Sequence, residues 1–236
     1  MVKELISANP DEIGDFWARA IYPFLAPLAE ADYRLQPSPI GSGVVIAFLG
    51  KPYLITANHV MAGHIDGSAK GAPYTYLPEQ TEILGVIHSA PDPFDIALIE
   101  LPNNAKRFLR MPQHLALELR EGELCLFVGF QARSKSWEID PNRNSLRPSP
   151  LSYLGRVSRP STERFSIRFN QKQLQRGGGR RPPIGKLNGI SGSGVFVLRD
   201  DAPKLAGIII EYHAMRSEIV CSSAIVIWEM LKLSRQ

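Results

Sequence analysis

The sequence predicts an all-β fold, a sandwich or barrel of many short strands. Three observations predict it. Short apolar runs recur along the chain from Ile40 onward. Turn-rich segments separate them, drawn from 19 glycines and 19 prolines. Long helical patterns are absent from there until the last segment, Ala224 to Leu233. Runs of this length with Gly/Pro punctuation read as strands joined by turns. A chain of 236 residues suits one large β domain or two small ones sharing a core. It can bury enough surface to fold without disulfides. The balance of 44% hydrophobic and 21% charged residues is that of a globular protein, not a disordered one.

The elements follow in order. Residues 9 to 31 read as largely helical. Asn9 is placed to cap, Pro10 stands at the first helical position, and Ile13, Phe16, Trp17, Ala20, Ile21 and Phe24 recur at helical spacing. Pro23 and Pro27 should break or kink this helix. It is expected to pack on the main domain, or else to bind a regulatory partner. GSGVVIAFLG and KPYLITANHV then read as two strands joined by a Gly-Lys-Pro turn. Further strands are expected at Glu82 to His88, Ile96 to Leu101, Glu123 to Phe130, Leu151 to Val157, Phe165 to Phe169, Gly194 to Leu198 and Leu205 to Glu211. A soft boundary falls near Leu109 to Arg120, where Pro112 and polar residues interrupt the strands. No internal repeat is evident.

Composition excludes several classes. The two cysteines, Cys125 and Cys221, sit in apolar runs and read as buried thiols, as expected of a reduced, cytoplasmic protein. The N-terminus lacks the pattern of a signal peptide, and no apolar run is long enough to cross a membrane as a helix. The net charge is +4. Much of the excess lies between Arg143 and Lys186, including RGGGRR from Arg176. That stretch has neither interleaved aromatics nor zinc-finger spacing, so it reads as a solvated loop, and nucleic-acid binding is not expected. The polar segment Gln171 to Lys186 is either an exposed linker or a flexible wall of a binding pocket.

Three motifs carry chemistry, and their order carries more than any one alone. In Leu54-Ile-Thr-Ala-Asn-His59-Val60 an apolar strand delivers a histidine at its end. In Asp92-Pro-Phe-Asp95-Ile-Ala-Leu-Ile an aspartate precedes a strongly apolar strand. In Gly189-Ile-Ser191-Gly192-Ser193-Gly194-Val-Phe-Val a serine occupies a glycine-rich turn that enters another strand. A serine hydroxyl attacks a carbonyl at neutral pH only if an imidazole takes its proton. The imidazole needs a carboxylate to fix its tautomer. The developing oxyanion needs preorganised N–H donors, which glycines beside the serine let the backbone present. Rival schemes fit less well. An α/β-hydrolase order would compress Ser191, Asp200 or Asp201, and His213 into too few residues. His59 and His64 lack a metalloprotease spacing, and no cysteine pair stands near them.

These motifs resemble those of the trypsin/chymotrypsin-like serine proteases, in the same order of His, Asp and Ser. Separations of 36 (95 − 59) and 96 (191 − 95) residues suit His and Asp in the first half and Ser in the second. The resemblance implies His59 as general base, Asp95 as its orienter and Ser191 as nucleophile, with the Gly189 and Ser191 amides as oxyanion hole. It implies an all-β fold of two packed six-stranded antiparallel barrels with an N-terminal and a C-terminal helix. The expected organisation is a helical extension over 1–36 and a protease domain over 37–236, with barrels over about 37–115 and 116–223 and a helix over about 224–233. It is closest in kind to short intracellular bacterial members. The implied substrate is a protein or peptide, with no metal and no organic cofactor. Gly185 stands where trypsin-type members carry an acidic specificity residue, so tryptic selectivity is not implied. Ile190 replaces the acid that pairs with a freed N-terminus in zymogens. Ile210, Glu211 and Tyr212 lie on the strand that resembles the substrate-pairing one. A protease of this kind without a zymogen switch implies latency or narrow specificity, as in a bacterial stress or antiphage defence system.

Overall fold

Strands buried on both faces organise the molecule. The computed structural model describes residues 10–31, 37–69, 72–76, 80–83, 87–102, 108–110, 113–131, 137–140, 145–148, 150–176, 187, 189–199 and 202–234. The first half opens with helix α1 (Pro10–Ile21) and a 3-10 turn (Tyr22–Phe24). Its strands are β1 (Leu25–Ala31), β2 (Pro37–Phe48), β3 (Lys51–Ala57), β4 (Ala72–Tyr76), β5 (Gln80–Glu82), β6 (Ile87–Ala90), β7 (Ile96–Glu100) and β8 (Leu109–Arg110), with helix α2 (Asn58–Ile65) after β3. They pair in the order β5-β4-β1-β2-β3-β7-β6, with β8 laid parallel on β2.

The second half contains β9 (Leu124–Phe130), β10 (Trp137–Asp140), β11 (Ser145–Pro148), β12 (Pro150–Pro160), β13 (Arg164–Arg168), β14 (Gln175–Arg176), β15 (Gly194–Arg199), β16 (Ala202–His213), β17 (Glu218–Ser223) and helix α3 (Ala224–Leu233). Here the ladder β13-β17-β16-β15-β9-β12 returns to β13 and closes a six-stranded antiparallel barrel. Strands β10 and β11 form a separate hairpin. In the first half no ladder joins β5 to β6 among the described residues, so these residues do not close the second barrel that the sequence led us to expect.

Side-chain alternation explains why the strand sequences look uniformly apolar. On β2, Val44, Ile46 and Phe48 face the core between the two halves, while Val45 faces the far side of the sheet. On β9, Leu126, Val128 and Phe130 face that shared core, while Cys125 and Phe127 fill the barrel. A strand with both faces covered has no solvent side to mark with polar residues. The terminal helices seal the shared core: α1 contributes Trp17 and Ile21, and α3 contributes Ala224, Val226, Ile227 and Leu231. Trp228 meets Phe48 edge-on at 5.4 Å, and Tyr22 meets Phe130 at 6.0 Å. Each large apolar side chain buried in this way contributes about 1.5–3 kcal/mol.

Two local expectations differ from the structure, and two elements were not anticipated. The N-terminal helix ends at Ile21, and Leu25–Ala31 is strand β1, paired with β2 and β4. Pro23 and Pro27 remove helical hydrogen bonds, and the helically spaced apolar residues end at Phe24, just before the strand begins. The expected strand Glu82 to His88 is two strands, β5 and β6. The residues after His59 form helix α2 and the apolar run around Cys221 forms strand β17, two elements that the sequence reading did not anticipate. Asn9 and the RGGGRR run beyond Arg176 lie outside the described residues.

Both cysteines are free and lie inside the barrel. Burial pushes the Cys125 thiol up to about 12 and the Cys221 thiol well above its ordinary value. At the barrel's end, Glu123 binds Arg199 of β15 through Nε and, at 2.7 Å, through a terminal guanidinium nitrogen. It also accepts the Arg120 N–H at 3.1 Å. Burial alone would raise this carboxyl, but the Arg199 hydrogen bond, the Arg120 amide and both positive charges hold it below the usual value. A depressed carboxylate stabilises above its unfolded pKa, about 4.3 for Glu, and loses that contribution as pH falls through its folded value. The melting-temperature gap between wild type and Glu123→Gln should therefore shrink between pH 6 and pH 3. A gap independent of pH would contradict this reading.

Candidate active site

The histidine and the aspartate are brought together by a helix start. Helix α2 begins directly after β3, and Ala57 at its N-cap offers no side-chain acceptor. The first amides of a helix have no partner inside it. Asp95 supplies what is missing. Its backbone carbonyl accepts the Asn58 N–H at 2.9 Å, and its carboxylate Oδ1 accepts the His59 N–H at 2.9 Å. The other oxygen, Oδ2, lies 2.6 Å from His59 Nδ1. A carboxylate only accepts, so this contact puts the ring proton on Nδ1 and leaves Nε2 as the base. Asp95 holds this pose with φ at +51°, a left-handed conformation that aspartate tolerates better than most residues. The aspartate side chain is 20% exposed and the histidine 50%, so the ring fronts solvent while its orienter is sheltered.

The serine turn is built from the other half. Gly189 (φ +87°) and Gly192 (φ +82°) both adopt left-handed conformations, on either side of Ile190 and Ser191. Ile190 is buried among barrel residues such as Phe169 and Leu187, which anchors the turn from below. The Gly192 N–H donates to the Ile209 carbonyl at 2.8 Å, and the Ile209 N–H donates to the Ser193 carbonyl at 2.9 Å. Strand β16 thus brackets the turn. Ser193 is fully buried against Gly129, whereas Ser191 is partly exposed.

Ser42, which the sequence reading passed over, ties the halves together, and Thr56 braces it from within the first half. The Ser42 N–H donates to the Ser191 carbonyl at 3.0 Å. The Ser42 hydroxyl accepts the Phe130 N–H at 2.7 Å, and its carbonyl accepts the Thr56 hydroxyl at 2.7 Å. Gly41 lies between the Val60 side chain and the Ser191 carbonyl, close enough that a Cβ there would sit 2.7 Å from one and 3.2 Å from the other. The serine turn therefore rests on the strands that deliver His59. The available signal was a small hydroxyl residue set beside the apolar run of each strand, because a buried hydroxyl must find a partner.

The remaining sequence-predicted residues are placed as follows. Among the described residues, neither the Gly189 nor the Ser191 amide donates a hydrogen bond, and none joins Ser191 Oγ to His59. Ile210 is the extra residue of a bulge between β16 and β17, and its side chain is buried in the shared core. It can offer a peptide its main chain only. The bulge re-aims the strand beyond it, as bulges do. Glu211 is exposed and pairs with His213 at 3.2 Å, and Tyr212 meets Phe169 edge-on at 5.4 Å. Gly185 lies outside the described residues.

Barrel, sheet and terminal helices together define the fold of the chymotrypsin-like proteases. The chain is similar in structure to the Rv3671c protease of M. tuberculosis H37Rv in a mutant inactive form, at 15% identity, over 98% of this chain and 96% of that one, with a TM-score of 0.56. The active form of the same protease matches at 13% identity over 95% and 86%, also with a TM-score of 0.56. Tobacco etch virus protease complexed with product matches at 13% identity over 90% and 79%, with a TM-score of 0.53. No family profile and no curated protein matches the sequence. Among the described residues no helix is long and apolar enough to cross a membrane.

Proposed function

We propose that this chain is a serine endopeptidase that cleaves peptide bonds through an acyl-enzyme. The observation that carries the proposal is the 2.6 Å contact between His59 and Asp95 beside a glycine-flanked serine turn. In the first step Ser191 Oγ adds to the scissile carbonyl as its proton passes to His59 Nε2. Asp95 balances the imidazolium that forms. The oxyanion is received by the Gly189 and Ser191 amides, each worth about 2.7–4 kcal/mol in such a hole. His59 then gives the proton to the leaving amine, and the C–N bond breaks. Water, deprotonated by His59, releases the acyl group and restores the serine. Substrate backbone lies along β16 near Ile210 to Tyr212. The protein works in the cytoplasm and is latent until Ser191 Oγ and His59 Nε2 are drawn within hydrogen-bond reach, a contact that often tightens only in the substrate complex.

A fluorophosphonate probe tests this reading. Wild type should be labelled and Ser191→Ala should not. Absence of labelling across a panel of peptides and cell extract as activators, or equal labelling of the two proteins, would reject it in favour of a catalytically silent binding module.

A further inference from the structure

A cleft of about 420 Å³ opens at one end of the closed barrel, where Ser158, Arg159, Arg168, Arg216 and Glu218 line it. Its charge is unbalanced. Three guanidinium groups meet a single carboxylate, that of Glu218, which is 5% exposed and lies 3.5 Å from Arg159 Nε. Arg168 and Arg216 add positive charge that this carboxylate does not match. The wall also holds an unmet polar atom: the Ser158 hydroxyl is buried and has no hydrogen-bond partner among the described residues. A buried hydroxyl without a partner is costly, so such an atom marks a place where a ligand atom can be received. The floor is aromatic, with Tyr153 and Phe169 packed at 4.7 Å. That layer connects the cleft to the serine turn, because Phe169 abuts Tyr212, three residues along β16 from the Ile209 that bonds Gly192 and Ser193. Three strand residues span roughly 10 Å.

We infer that this cleft is an anion subsite that takes the carboxylate of an acidic side chain in a bound peptide. This rests on the reading that a peptide lies along β16. Arginine is suited to the task because its planar fork matches a carboxylate with two parallel hydrogen bonds. A peptide that follows β16 from the serine turn toward Tyr212 would bring its acidic residue to the cleft several positions from the bond aligned with Ser191. The cleft also faces the β16–β17 hairpin, so the same peptide main chain can follow β16 while one side chain turns into the cleft.

Binding to the Ser191→Ala protein tests this without turnover. Fluorescein-labelled octapeptide mixtures, degenerate except for one fixed Glu or Gln, are titrated by anisotropy. Glu at one register should bind at least tenfold more tightly than Gln. The preference should fall below twofold in Ser191→Ala/Arg168→Gln/Arg216→Gln, which keeps the Arg159–Glu218 pair and should melt within a few degrees of its parent. Equal binding of Glu and Gln at every register, or a preference that survives the two arginine replacements, overturns the inference. So does tight binding only of a phosphoserine mixture, which would assign the cleft to phosphopeptides. The two readings fail separately. Probe-labelled wild type with no Glu preference sinks the subsite alone, and a Glu preference without labelling sinks the peptidase alone.

Discussion

Replacing Asp95 with asparagine is expected to lower kcat/KM by about 10⁴-fold while the fold persists. The carboxylate has two tasks here, one for each oxygen. Oδ1 caps the α2 amide of His59 and Oδ2 fixes the ring proton on Nδ1. Asparagine has one acceptor oxygen. If that oxygen stays on the helix amide, its NH₂ group faces Nδ1 and forces the ring proton onto Nε2, where no proton can be taken from Ser191. If the amide group flips, the helix start loses its acceptor instead. The loss corresponds to about 5.5 kcal/mol of transition-state stabilisation at 1.36 kcal/mol per tenfold. Weakening the anionic cap costs stability only on the order of 0.3–1 kcal/mol. Rates on a peptide that wild type cleaves, read beside thermal melts, separate the two effects. A rate loss of less than tenfold would show that Asp95 is a cap and not an orienter.

Gly192→Ala should destabilise the protein by about 3 kcal/mol or more, combining left-handed strain with overpacking. A Cβ at this position would lie 1.9 Å from the Ser42 carbonyl oxygen and 2.3 Å from the Thr56 hydroxyl, and φ is +82°. Neither neighbour can yield, because both are tied into the clamp between the halves. For a chain of this size the melting temperature should fall by about 6–12 °C. Gly50→Ala is the control. It has φ +85° but nothing within 4 Å, so it carries the backbone strain without the clash. Equal melting shifts in the two variants would show that the close approach at position 192 is not what the glycine serves.

Much of this architecture was legible in the sequence, for a physical reason. Strands β7, β9 and β15 are short, apolar and bounded by turns, so their existence did not depend on distant partners. The motifs around His59, Asp95 and Ser191 were also legible, because each couples a chemistry-bearing residue to the start or end of such a strand. What was not legible depends on tertiary context. Leu25–Ala31 carries one proline and three alanines, and only its place between β2 and β4 makes it a strand. Helix α2 has no capping side chain of its own, since its acceptor comes from Asp95, 36 residues away. The contributions of Ser42 and Thr56 were hidden because a lone hydroxyl in an apolar run names no partner. The barrel's closure through β12 and β13 follows from pairings that composition does not encode.

The bond from the Ser42 amide to the Ser191 carbonyl runs from one half of the molecule to the other. The machinery proposed here therefore belongs to neither half. A loosening of the seam that left every strand of the barrel intact would release the serine loop from its rest and separate it from the imidazole. Chemical competence would then vanish at denaturant concentrations too low to melt either half, and any binding event that tightens the seam would act as an on-switch without touching a reacting atom.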